Sequence, residues 1–188
     1  HLEAYHACAG MGAVLHTLNV RLGENDLDYI INHAEDQVII VDADILPLLE
    51  KMKDRMPTVR QVIIATEEGF EGWTTELPNP IDYEDFIAGQ PTNYEWPQID
   101  ENSPMGLCYT SGTTGHPKGV EYEHRSQYLH TMTQCLTDSM GLSGTDTVCG
   151  IVPMFHAMGW GIPWSALMLG CKQVMPHRFM DPGRLIEL

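Results

Sequence analysis

Apolar positions along the chain switch between helical and strand spacing, and that rhythm lays out elements before any chemistry is considered. Leu27, Ile30, Ile31 and Ala34 recur at the 3.6-residue period, with Asn25 or Asp26 as a cap, and predict a helix. It leads into a short buried strand over 38–41. The pair then repeats. Ile45, Leu48, Leu49, Met52 and Met56 make a second helical stripe stopped by Pro57, and 59–65 predicts the next strand. Residues 66–102 break the rhythm with Pro78, Pro80, Pro91 and Pro97 among Gly, Asn and acids. That composition predicts a surface excursion or junction with one short helix near 83–88.

From Met105 the chain turns apolar again, with a strand over 105–109, a glycine-rich turn and a helix over 124–140. The stripe of that helix is Tyr128, Leu129, Met132, Leu136 and Met140, and Gly141 is its natural stop. Strand, helix and strand follow over 147–152, 163–169 and 171–175. The alternation predicts an α/β fold, part of a layered α/β/α arrangement with a mostly parallel sheet. If the strands 105–109 and 147–152 are parallel and joined right-handedly through the helix between them, the segments after both emerge at one sheet edge. The chain has no initiator Met, and 181–188 predicts a helix with Asp181 as cap and Pro182 in its first turn. It reads as an excerpt of a longer protein.

Composition narrows the class. The chain has 188 residues, 43% of them apolar, which excludes global disorder. No run approaches the ~20 consecutive apolar residues of a membrane-spanning helix, so a soluble, cytoplasmic protein without a transmembrane segment is expected. The net charge of −16 is uneven: residues 1–102 hold 20 acids against 5 bases, and residues 103–188 hold 6 against 5. This divides the chain into an acidic α/β portion (1–102) and a portion that carries the glycine-rich turn (103–188). Such an acidic surface repels phosphate backbones, so nucleic acid is not an expected partner. The 5 cysteines are odd in number and widely spaced, as free thiols of a reducing compartment would be. His1, His6, His124 and His130 lack zinc spacing, and no protein metal site is expected.

The chemistry concentrates after the strand 105–109. Thr110, Ser111, Gly112, Thr113, Thr114, Gly115, His116, Pro117 and Lys118 place four hydroxyls, two glycines and a lysine within nine residues. Glycines let several backbone N–H groups converge, hydroxyls add donors, and lysine adds a mobile positive charge, which together suit phosphate. The Walker A pattern is not met. Gly112 is followed after four residues by Pro117, Lys118 and Gly119, so the Mg²⁺-holding hydroxyl after the lysine is missing and Pro117 lacks a donor.

The stretch resembles the signature of the AMP-forming adenylate synthetases, the superfamily of acyl-CoA synthetases, firefly luciferase and nonribosomal-peptide adenylation domains. Leu107, residues 110–115, Pro117 and Lys118 match every fixed position of that signature. Pro153, Met154, Phe155 and His156 with Gly159 and Trp160 resemble its second core motif, and residues 12–19 with Arg21 and Leu22 its upstream segment, with 29–34 extending the likeness. The resemblance leans toward medium- or long-chain fatty acyl-CoA synthetases.

It implies a fold and an activity. The chain would be an incomplete part of the N-terminal AMP-binding domain, with the C-terminal domain absent. The whole enzyme would use ATP and Mg²⁺ to join a small-molecule carboxylic acid to AMP, then pass the acyl group to coenzyme A. Thr110, Ser111, Gly112, Thr113, Thr114, Gly115 and Lys118 would hold the β- and γ-phosphates. His156 and Trp160 would border the acid pocket, against the plainer readings of a hydrogen-bonded loop histidine and a core tryptophan. The family's Mg²⁺-binding glutamate, ribose-binding aspartate and catalytic lysine lie downstream, so no catalytic residue is expected here and the chain alone is expected to be inactive. Met158 departs from the polar residue common in fatty acyl relatives, and Glu121 and Glu123 stand where neutral or basic residues are usual. An aryl or amino acid substrate, a non-catalytic nucleotide-binding scaffold and a homo-oligomer all stay open.

Overall fold

The computed structural model describes residues 1–66, 72–110, 115–176 and 181–187. In chain order its elements are α1 (Leu2–Gly10), β1 (Leu15–Thr17), α2 (Glu24–His33), β2 (Val38–Asp42), α3 (Leu46–Glu50), β3 (Gln61–Ala65), β4 (Pro80–Asp82) and α4 (Tyr83–Ile87). They continue with β5 (Pro104–Thr110), β6 (Lys118–Glu123), α5 (His124–Gln134), β7 (Thr147–Cys149), α6 (Ile162–Leu169), β8 (Lys172–Val174) and α7 (Pro182–Glu187). The fold is mixed α/β, with parallel pairing of β1 with β5, β2 with β3, β3 with β4 and β7 with β8. The elements form two compact units, one of His1–Leu18, Trp96–Cys108 and Val120–Leu188, the other of Asn19–Glu95 and Tyr109–Gly119.

The second unit is built on the sheet β2-β3-β4. Val62, Ile63 and Ile64 of the central strand are all buried, as a strand covered on both faces requires. β2 is not the fully buried strand its apolar run suggests. Ile39 is buried, but Val38 is 54% exposed, because only one face of this strand is covered and successive side chains point to opposite faces. The stripe 45–56 is not one helix either. Pro47 pins the first turn of a five-residue α3, and the chain goes on through a 3₁₀ turn, Lys53–Arg55, while Leu46, Leu49, Met52 and Met56 stay buried. β4 comes out of the stretch read as a surface excursion, and Asp82 caps α4 by accepting from the Glu84 N–H at 2.9 Å.

In the first unit β5 lies between β1 and β6, with Leu15 opposite Gly106 and Thr17 opposite Cys108. Tyr5, Cys108 and Met158 form its core, with Leu15, Tyr122, Met154 and Trp164 packed against them. β7 ends at Cys149 and pairs with β8 rather than joining β5, so among the described residues the strands 105–109 and 147–152 share no sheet edge. α5 stops at Gln134, and its apolar stripe is exposed: Tyr128 is 61% and Leu136 60% accessible. Its buried face is Gln127, Thr131 and Gln134: the Thr131 hydroxyl donates to the Gln127 carbonyl within the helix at 2.9 Å, and Gln134 Nε2 donates to the Trp160 carbonyl.

Glu123, an apparent misfit beside a phosphate loop, is the N-cap of α5. Its side chain accepts from the Ser126 N–H, and the Ser126 hydroxyl accepts from the Glu123 N–H at 3.1 Å, a reciprocal capping box. Among the described residues no helix is long and apolar enough to cross a membrane, and no group of three or more His, Cys, Asp or Glu is arranged to hold a metal ion.

Candidate functional site

The glycine-rich segment leaves β5 and re-enters the fold at β6. Ser111, Gly112, Thr113 and Thr114 lie outside the described residues. Its two ends are defined. The Thr110 hydroxyl donates to the Lys118 carbonyl over a long 3.5 Å, linking the last residue of β5 to the first of β6. Gly115 is exposed with φ +109°, a backbone region that a side chain would strain even in open space. Lys118 is exposed, and its ammonium makes no ion pair among the described residues.

Both flanks of the segment are held by α2, which the local sequence pattern does not signal. His33 Nδ1 and the Tyr109 hydroxyl share a hydrogen bond of 2.6 Å. The His116 ring stacks on Tyr29 at 4.5 Å between centroids and 19° between planes. Burial first, then the neighbouring Tyr29 and Asp36, push the Tyr109 phenol above its ordinary range, so it keeps its proton at neutral pH. Tyr29 and His33 are one helical turn apart, which brings both rings to the same face of α2.

His156 and Trp160 sit on a different structure, the turn Ala157–Gly161 that enters α6. His156 is exposed, with its N–H on the Pro153 carbonyl at 2.9 Å, and Trp160 is 52% exposed. The turn is left-handed: Ala157, Met158, Gly159, Trp160 and Gly161 hold φ of 45°, 54°, 62°, 56° and 72°. For residues with a Cβ this costs about 1–2 kcal/mol each. A side chain at Gly161 would also stand 2.6 Å from His130 Nδ1 and 2.9 Å from Gln127 Nε2.

A cavity of about 470 Å³ opens elsewhere in the same unit, lined by His6, Trp96, His124, Tyr128, Trp164 and Met168 among others. Trp164 also packs on Tyr5 at 4.9 Å, whereas Trp160 is not among the lining residues. Burial holds His6 below the ordinary imidazole value of 6.5. The protonated form is therefore disfavoured on folding. The associated stability is complete above the unfolded-state value and is lost as pH falls toward the depressed native one. His6→Phe is accordingly expected to flatten the acid side of the stability curve between about pH 7 and 5, seen in thermal melts. Parallel slopes in the two proteins would contradict it.

Comparison with known proteins follows this geometry. A family model described as AMP-binding enzyme matches residues 1–188. The medium-chain-fatty-acid–CoA ligase of Ectopseudomonas oleovorans is 44% identical over 188 residues, covering all of this chain and 34% of that protein. The long-chain-fatty-acid–CoA ligase of Thermus thermophilus is 42% identical over 188 residues, all of this chain and 33% of that protein. The crystal structure of the anthranilate CoA ligase AuaEII with anthranoyl-AMP superposes with a TM-score of 0.75 at 25% identity, over 90% of this chain and 31% of that one. The chain thus spans about a third of the length of the curated relatives it matches.

Proposed function

We propose, since this chain belongs to the family of AMP-binding enzymes, that the longer protein containing it activates a medium- or long-chain fatty acid with ATP and transfers the acyl group to coenzyme A. One observation carries the reading: identity of 44% and 42% to two fatty-acid–CoA ligases, extending over every residue of the chain. In the first step the acid carboxylate attacks the α-phosphorus of ATP, an acyl-adenylate forms, and pyrophosphate leaves. The coenzyme A thiol then attacks the acyl carbonyl and AMP leaves.

The role proposed for residues 110–118 is to hold the β- and γ-phosphates. As the bond to the α-phosphorus breaks, negative charge gathers on the departing pyrophosphate, and fixed donors with a cation stabilise that charge. What supports the role is an exposed Lys118 ammonium with no ion pair among the described residues and a Gly115 conformation open to approach. His33 and Tyr29, by gripping Tyr109 and His116, keep the two ends of the segment from drifting. His156 and Trp160 are proposed to border the acid. Mg²⁺ has no ligand set among the described residues, so no step is assigned to it here.

The test is a panel of acids given to the full-length protein: saturated fatty acids from about four to eighteen carbons, an aryl acid and an amino acid, with pyrophosphate release and thioester formation both measured. Highest kcat/KM on fatty acids of six carbons or more is expected. A preference for the aryl or amino acid would replace the substrate assignment, and absence of pyrophosphate release with every acid would leave a nucleotide-binding scaffold.

A further inference from the structure

Buried side chains from four elements hold the polar backbone groups around the left-handed turn Ala157–Gly161. The Tyr5 hydroxyl of α1 donates to the Met154 carbonyl, and the Thr17 hydroxyl of β1 donates to the Phe155 carbonyl at 3.3 Å. Cys108 Sγ of β5 lies 3.3 Å from that same Thr17 hydroxyl. Gln134 Nε2 of α5 donates to the Trp160 carbonyl. The Ser165 hydroxyl of α6 is shared between Gln134 Oε1 and the Gly161 carbonyl, the latter at 3.0 Å. Tyr5, Thr17, Cys108, Gln134 and Ser165 are each more than nine-tenths buried. Strained backbone lasts only where its surroundings over-determine it, and such places concentrate at sites that bind or react.

Met158 itself is fully buried in the core with Tyr5 and Cys108. The last two contacts act beyond it, on the carbonyls of Trp160 and Gly161, whose neighbouring indole is half exposed. α5 supplies the first of these through Gln134, and α6 the second through Ser165.

We propose that Gln134 and Ser165 are positioning residues: their hydrogen bonds to the Trp160 and Gly161 carbonyls hold the Trp160 indole and the His156 imidazole in the orientation that receives the acid substrate. This rests on the reading that His156 and Trp160 border the acid site. A displacement of about 1 Å in a positioning element lowers turnover by as much as ~10²-fold.

The experiment uses the full-length protein and an acid it activates, with kcat and KM determined separately for acid and for ATP. Gln134→Met, which keeps side-chain length and removes both hydrogen bonds, is expected to lower kcat/KM for the acid about ten- to hundredfold with the ATP KM unchanged. Ser165→Ala shifts it the same way by less. Ala157→Gly keeps or raises the melting temperature, because glycine adopts the left-handed region freely, yet lowers kcat/KM for the acid as the turn loosens. That variant decides the matter if Gln134→Met does not fold. Unchanged acid kinetics in Gln134→Met and Ala157→Gly, with Trp160→Ala impaired, would overturn the positioning role and leave the pocket reading standing. Unchanged acid kinetics in Trp160→Ala would overturn both.

Discussion

Lys118→Ala in the full-length protein is expected to lower ATP–pyrophosphate exchange by about 10²–10³-fold, the loss typical of removing one group that stabilises developing charge. The lysine opens β6 immediately after the glycine-rich segment, is exposed, and pairs with no acid among the described residues, so its removal takes away charge without unseating any core contact. The melting temperature is expected to stay put, which separates a catalytic loss from a folding loss. Lys118→Arg keeps the charge but not the compact ammonium, and an intermediate rate is expected for it. Exchange at the parent rate in Lys118→Ala would refute the phosphate role of residues 110–118, however closely their letters match the family signature.

The second large effect is on stability. Met158→Ala is expected to destabilise the fold by about 2–5 kcal/mol, the range for truncating a fully buried side chain to Ala. Met158 is wholly inaccessible, belongs to the core with Tyr5 and Cys108, and reaches over Gly106 so closely that a Cβ there would lie 2.7 Å from its terminal methyl. Met158→Leu conserves volume and is expected to recover most of the loss, to within about 1.5 kcal/mol. Denaturant midpoints of the three proteins decide it. A midpoint for Met158→Ala equal to that of the parent would mean that the turn is not anchored through its core side chain.

The glycine-rich segment was legible because its residue types and spacing are local, and the same holds for the existence of α2, α4 and α6; the expected cap of α2 is corrected, since the helix starts at Glu24 after Gly23 and both Asn25 and Asp26 lie inside it. Four elements went unread. α1 begins without a side-chain cap, β1 and β4 are three residues each, and β6 lies inside what reads as the exit of a turn. Segments that short carry too few positions for a period to show. The grip of His33 and Tyr29 on Tyr109 and His116 spans 76 residues in the first pair, and no local pattern reports it.

By itself the amino-acid order determined the α/β alternation, the parallel strand-and-helix grammar and the twelve-residue signature at 107–118, since these depend on chemistry and spacing along the chain. Only the tertiary structure decided which face of α5 turns inward, that β5 and β7 belong to different sheets, and that five residues after His156 wind left-handedly. Periodicity shows where apolar side chains recur but not which side of a helix meets hydrogen-bonding partners from distant segments. The Trp160 carbonyl and the Ser165 hydroxyl are the distant partners that Gln134 of α5 meets here.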